Sequence, residues 1–301
     1  MDRLEAMSIF VAAVEAGSFS AASRRLHVPL PTVSRKVSEL ESRLKTRLLV
    51  RSTRKLSLTE AGATYLGACK RILDDVGNAE RFAAGEYSAP RGELVLTAPI
   101  VFGRLHVLPV VCEFLARFPE INVRLGLSDR NVSLVDDQID IALRIGELPD
   151  SSLVATRVGA VAYVICASPA FLATQGTPKI PRDLERMPCV TFDAVAAGQP
   201  WPFAFPGGER DASIRVRARL SVNTAEAAID AAVAGVGLAR VLSYQAARAV
   251  GQGELKLVLR KFERAPLPVS LVHTGQGPLP LKLRTFLDFA APRLRKALQR
   301  R

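Results

Sequence analysis

The 301-residue sequence predicts an α/β protein: a winged helix-turn-helix at the N-terminus, a long linker helix, then a larger α/β portion. Three observations carry this. Helical spacing in the first sixty residues closes on a basic hairpin. From Thr59 to Ala84 the chain runs without proline, and beyond Pro90 short β-rich runs alternate with helical ones. Hydrophobic residues make up 49% and charged ones 23%, enough to bury proper cores. Lysine and arginine number 41 against 29 acids, a net charge of +12 that favours a polyanionic partner.

In the head, Met7, Phe10, Val11 and Val14 recur at helical spacing and Gly17 stops the helix. Ser18 or Ser20 caps a second, short helix with Phe19, Ala22 and Leu26 on its apolar face. His27 stands at the turn, where a residue tolerant of positive φ is needed. A third helix begins near Pro31, suited to a first turn that has no use for its missing N–H. Val33, Val37, Leu40 and Leu44 form its buried stripe; Thr32, Ser34, Arg35, Lys36, Ser38 and Glu39 form the opposite face. Leu48–Val50 and Leu56–Leu58 read as strands flanking a basic loop, Arg51 to Lys55. Two short helices with a tight turn, the second amphipathic, describe a helix-turn-helix, and the hairpin is its wing.

Charge concentrates here. Between Arg24 and Lys55 ten basic residues face two acids, +8 in 32 residues, while residues 56–90 hold three basic and five acidic ones. The run SFSAASRRLHVPLPTVSRKVSELESRLKTRLLVRSTRKLSLTEAG closely resembles the DNA-binding head of LysR-type transcriptional regulators. That resemblance implies double-stranded DNA as partner, the third helix in the major groove and the wing in the adjacent minor groove. The implied DNA contacts are Ser20, Leu30, Pro31, Thr32, Ser34, Arg35, Lys36 and Ser38 in the helices, and Arg51, Arg54 and Lys55 on the wing. Leu30 replaces a glutamine common in the family, so an apolar contact is expected there in place of an amide hydrogen bond. Lys45 replaces a common glycine and implies a strained C-cap.

From Thr59 the apolar positions Tyr65/Leu66, Cys69, Ile72/Leu73 and Val76 fall near a 3.5 spacing, a coiled-coil-like seam through which two copies would pair. Residues 85–92 read as a hinge. The domains expected are 1–59 for the head, 60–90 for linker and hinge, and 91–301 for the rest.

In that remainder, strands are expected at 93–97, 121–127, 139–145, 154–158, 161–167, 190–192, 214–222, 237–240 and 269–273, in a mostly parallel sheet. Helices are expected at 102–118, 169–174, 224–233, 243–249 and 281–297, with a helical turn at 132–137. LVLTAPIVFGRLHVLPVVCEFLARFPEINVRL, DIALRIG, ASPAFLATQGTPKIPRDL and AAVAGVGLARV are similar to LysR-type effector domains. The resemblance implies two lobes like periplasmic binding proteins, 91–161 with 267–301 and 162–266, and a small-molecule effector between them. Thr97, Ala98, Pro99 and Ile100 follow the first strand and enter a helix whose free N–H groups suit an anion. Arg144 interrupts an apolar strand and is read as site-lining. Ser168, Phe192, Asn223 and Thr224 follow strands of the second lobe, and Trp201 is either a surface-loop anchor or an aromatic lid. Arg144 and the net charge favour an anionic or aromatic effector.

An enzyme is disfavoured: the three histidines stand apart from any nucleophile signature, and G-x-S-x-G, Walker and H-E-x-x-H motifs are missing. No cofactor or metal is expected. The start, MDRLEAMSIFVAAVEAG, has no secretory features, and no run is long and apolar enough for a membrane span, so a periplasmic solute-binding protein is disfavoured and a cytoplasmic location expected. Cys69, Cys112, Cys166 and Cys189 are scattered and read as core. A redox-responsive regulator of the same architecture, using one of them, is the alternative. Further expected partners are a homodimer or homotetramer and RNA polymerase.

Overall fold

The computed structural model describes residues 2–51, 56–83, 89–130, 132–148, 153–192, 200–205, 212–275 and 279–299. The chain divides after Gly92 into two compact units.

The first unit comprises α1 (Arg3–Glu15), α2 (Phe19–Leu26), α3 (Leu30–Leu44), β1 (Leu49–Arg51), β2 (Leu56–Leu58) and α4 (Glu60–Ala83). Ser18, not Ser20, caps α2, accepting the Ala21 N–H at 3.1 Å. His27 and Lys45 close α2 and α3 in the left-handed region, at φ 54° and 52°. Phe10, Val33, Val37, Leu40, Leu48 and Leu49 form one core. Leu44 departs from its expected stripe: it is exposed, because α3 outruns the core in its last turn.

The seam on α4 departs further. Cys69 is fully buried, and Tyr65, Leu66 and Leu73 pack on the head's own core, with the Phe10 and Tyr65 ring centroids 5.9 Å apart. Intramolecular packing therefore consumes most of the stripe read as a dimer contact. The close approach has a sequence cause at Gly62, where a Cβ would lie 1.9 Å from the Leu48 carbonyl oxygen. Thr59 caps this helix, its hydroxyl accepting the Gly62 N–H.

The second unit runs β3 (Gly92–Ala98), α5 (Ile100–Phe102), a π turn (Gly103–Val107), α6 (Leu108–Arg117), β4 (Ile121–Leu127), β5 (Ile141–Ile145), β6 (Leu153–Val161), β7 (Tyr163–Ala167) and α7 (Pro169–Gln175). It continues with β8 (Pro188–Phe192), β9 (Trp201–Phe203), β10 (Ala212–Ile214), β11 (Arg217–Val222), α8 (Ala225–Val233), β12 (Leu238–Leu242), α9 (Ser243–Gly251), β13 (Lys256–Val258), β14 (Leu267–Thr274) and α10 (Leu281–Gln299). Two five-stranded sheets result, β4-β3-β5-β14-β6 and β11-β8-β12-β7-β13, beside a β9–β10 ribbon.

Both sheets are mixed, not mostly parallel. β3 and β5 run parallel, but β14 lies antiparallel between β5 and β6; β8 runs parallel to β11 and β12, whereas β7 opposes β12 and β13. The chain leaves the first sheet directly through β6 into β7 and returns to it through β14. Other expectations shift too. The helix expected at 102–118 is interrupted by the π turn, and the strand at 214–222 breaks at Arg215–Val216. The strands expected at 154–158 and 161–167 divide instead at Ala162. Only a turn forms at 132–137. β9 and β13, three residues each, had too few alternations to register.

Candidate nucleic-acid interface and candidate ligand cleft

α3 begins with Pro29 as its cap and Leu30 43% exposed. Burial of Val33, Val37 and Leu40 against α1 and α2 turns the opposite face outward. Pro31 and Arg35 are exposed on it, Thr32 and Ser34 half-buried, and Ser20 is exposed early in α2. The Arg35 guanidinium lies 3.8 Å from Glu39, an exposed pair worth about 0–1 kcal/mol that a phosphate can outcompete. A tight turn holds α2 to α3: the Ser23 hydroxyl donates to the Val28 carbonyl at 2.6 Å.

Two expected contacts are spoken for. Lys36 turns back to pair with Glu5 of α1, its side chain only 14% exposed, so it sits beside the core and off the open face. Ser38 donates its hydroxyl to the Ser34 carbonyl at 2.9 Å. On the wing, β1 and β2 pair Leu49 with Leu58 and Arg51 with Leu56. Arg54 and Lys55 lie outside the described residues, as does the side chain of Arg51. The Glu41 carboxylate, not anticipated, accepts the N–H groups of both Leu48 and Leu49, fixing the wing to α3.

In the second unit, register brings strand ends to one edge. Thr97 pairs with Ala142 in parallel β3 and β5, which sets Pro99 level with Arg144. In the other sheet Val222 is level with Phe192, and Asn223 and Thr224 follow at once. These edges meet: Phe192, Ala225, Leu242 and Tyr244 of the second lobe join the hydrophobic core of the first. Arg104 on the π turn reaches Glu226 of α8 at 3.7 Å. Phe102, His106 and Tyr244 stack between the lobes, with centroids 4.7 to 5.8 Å apart. Burial drives the Tyr244 hydroxyl well above the ordinary tyrosine range, with Asp129 adding to the shift. π turns inserted between α-helical segments are frequent at functional sites.

Several expected cleft residues are placed elsewhere. Thr97 and Ala98 are buried within the first sheet; Pro99 and Ile100 are half-buried at its edge. The first N–H of the following helix is already taken, since Ile100 donates to the Asp129 carboxylate at 3.1 Å. An internal anion thus stands where a ligand anion was expected. Arg144 donates to the Val132 carbonyl at 2.5 Å, tying down the 132–140 loop, and desolvation lowers its pKa below the usual arginine value. Ser168 caps α7 at the opposite edge: β7 is antiparallel to β12, with Cys166 and Val190 both level with Ala239, so the chain beyond Ala167 leaves away from Phe192. Trp201 is neither anchor nor lid. It is 6% exposed in the second-lobe core, paired with Ile214 on the β9–β10 ribbon. Asn223 is exposed, and Thr224 caps α8 through the Ala227 N–H.

Sequence reasoning missed Asp129, Arg104, His106, Tyr163, Glu226, Arg240 and Tyr244, where the Arg240 guanidinium lies 3.8 Å over the Tyr163 ring. The one available signal was an Asp two residues after β4, but its partner lies 29 positions earlier in the chain. Of the cysteines, Cys69, Cys166 and Cys189 are buried, and burial pushes their thiols up to about 11, 12 and 12. Cys112 corrects the expectation of a core position: it is exposed on α6.

Among the described residues no helix is long and apolar enough to cross a membrane. Residues 4–63 match the family described as bacterial regulatory helix-turn-helix protein, lysR family, and residues 88–295 match the LysR substrate binding domain. A Xanthomonas campestris HTH-type transcriptional regulator is 35% identical over 95% of this chain and 84% of its own. An uncharacterised HTH-type regulator of Haemophilus influenzae is 32% identical over 94% and 98% respectively. Among solved structures, CrgA of Neisseria meningitidis, a LysR-type transcriptional regulator, superposes with a TM-score of 0.61 at 30% identity, covering 98% of this chain and 99% of that one.

Proposed function

The chain belongs to the LysR family of DNA-binding transcriptional regulators, with an effector-binding domain after its helix-turn-helix, and on that premise we propose that a small molecule in the cleft between the two α/β lobes controls its hold on an operator. The observation that supports this best is the outward face of α3. Leu30, Pro31, Thr32, Ser34 and Arg35 stand clear of the core at the start of the helix, where a recognition helix meets base edges. Arg35 is the principal groove contact, with Ser20 at the flank and Arg51, Arg54 and Lys55 as the wing contacts. Lys36 and Ser38 serve the fold of the head.

Useful affinity calls for paired heads on a dyad site, hence a homodimer or homotetramer. The pairing face on α4 is the line Ala61, Thr64 and Ala68, which borders an open groove, continued by Ile72, the 40% exposed member of the expected seam, and not by buried Cys69. In the cleft, Pro99, Ile100, Phe192, Asn223 and Thr224 surround the effector, and Arg144 positions the loop beside it. With Asp129 on the first helix turn, a ligand there is hydrogen-bonded by Asp129 or displaces it. Effector binding changes how the lobes meet, and through that the spacing of the paired heads. RNA polymerase is a further partner of the DNA-bound form.

The test begins with duplexes selected by the full-length protein from fragmented genomic DNA. Arg35→Ala should weaken binding to them by about 1–3 kcal/mol, and about six phosphate contacts should give a log–log salt slope near −5. Unchanged affinity in Arg35→Ala would remove α3 from the groove. Arg144→Ala should keep DNA affinity and lose the effector response.

A further inference from the structure

An arginine row marks the outer edge of the second-lobe sheet. β11 ends that sheet, bonded to β8 on one side and open on the other. It carries Arg217 and Arg219; Arg215 just precedes it, and Arg186 lies two residues before Pro188, the residue level with Arg217. All four are exposed, and among the described residues none has a carboxylate within ion-pair distance. This is unlike Arg25, Arg104, Arg124 and Arg293, each paired with a glutamate. Asp183 accepts the N–H groups of Ile180 and Lys179, which hold its carboxyl below the usual range, and the charges of Lys179 and Arg186 add to the shift without an ion pair.

Like charges spaced along one edge repel one another, a cost that no ion pair among the described residues offsets. Guarding an open strand edge against aggregation needs less: one or two charges suffice, and the register shift between Ala218 and Leu220 already spoils the edge as a template. Guanidinium forks suit phosphate oxygens.

We propose that the Arg186–Arg215–Arg217–Arg219 edge binds the phosphate backbone of duplex DNA outside the recognition site, a second contact that rests on the DNA-binding reading above. The same selected sequence is placed in a duplex of about 20 base pairs, two half-sites a turn apart, and at the centre of one of about 80. Full-length protein, the triple variant Arg215→Gln, Arg217→Gln, Arg219→Gln and its all-lysine counterpart are titrated against both across salt. On the long duplex the glutamine variant should lose about 2–3 units of salt slope, at about 0.9 per phosphate, and at least tenfold in affinity at low salt. On the short duplex it should match the parent, and the lysine variant should restore the long-duplex slope.

Equal slopes on the long duplex for parent and glutamine variant overturn the proposal. So does an equal loss on both lengths, or aggregation with no change of slope, which would make the row a guard for the strand edge. Capture of an acidic protein by the parent, with DNA slopes unchanged, overturns it in favour of a protein partner. Failure of the parent to prefer the selected short duplex strikes the DNA-binding reading itself, and is thereby distinguishable.

Discussion

In the first unit the candidate DNA contacts come mainly from one helix of 15 residues, α3, and stay at its surface. In the second unit the candidate cleft is assembled from strand ends and helix starts between Pro99 and Tyr244, and much of its polarity is already satisfied internally. Asp129 holds the Ile100 N–H, Arg144 the Val132 carbonyl, and Arg104 faces Glu226. The difference teaches where function and stability separate. A surface helix can spend polar residues on a partner because its opposite face alone makes the core. A cleft between lobes shares its residues with the packing that holds the lobes together, so changing one disturbs both properties.

Phe102→Ala tests that coupling most severely. The ring is fully buried between the lobes against Tyr244, and its removal should cost about 3–5 kcal/mol in denaturant unfolding of the second unit. Arg35→Ala should leave the same unfolding curve unmoved. A stable Phe102→Ala protein would show the lobes to be less interdependent than the shared core indicates.

Asp129→Ala should cost less, about 0.5–2 kcal/mol, the usual value of a lost helix cap. It should also open the Ile100 N–H to small carboxylates, so that acetate or benzoate stabilises the variant and not the parent in thermal melts. Equal stabilisation of both would place the anion elsewhere.

A smaller effect belongs to the head. The Lys70 ammonium, hydrogen-bonded to Glu15 at 2.9 Å, lowers the Glu15 pKa, and Arg25 adds to it against a modest cost of burial. A folded value below the unfolded one means stability present above about 4.5 that is lost as pH falls through the folded value. Glu15→Gln should therefore lower the head's stability near neutrality, leave it close to the parent's at the acid end, and so flatten the acid limb between.

Thiol labelling carries no stability cost and sharpens the contrast from another side. At pH 8 one cysteine per native chain, Cys112, should react promptly, and all four after denaturation, because burial keeps the other thiols protonated. Prompt reaction at Cys69, Cys166 or Cys189 would show those buried thiols open to oxidation; a redox-responsive regulator would otherwise have to use exposed Cys112.

The head was legible because its signals are local. Helix stripes at Val33, Val37 and Leu40, a turn residue at His27 and a basic hairpin lie within reach of spacing rules. Where spacing failed there, a long-range contact had intervened. Lys36 reads as a solvent-facing cation until Glu5, 31 positions away, draws it inward, and the α4 seam reads as a dimer stripe until Gly62 lets the helix settle on Leu48.

What the sequence by itself determined is the order of elements, the cationic head and the strand ends where a ligand site was to be sought, since periodicity and charge are properties of neighbours in the chain. Tertiary structure alone decided that both sheets are mixed, that Ser168 faces away, that Trp201 is core and that Asp129 fills the helix start. Each depends on strand direction and register. Those are set by packing among residues tens of positions apart, and no local pattern encodes them.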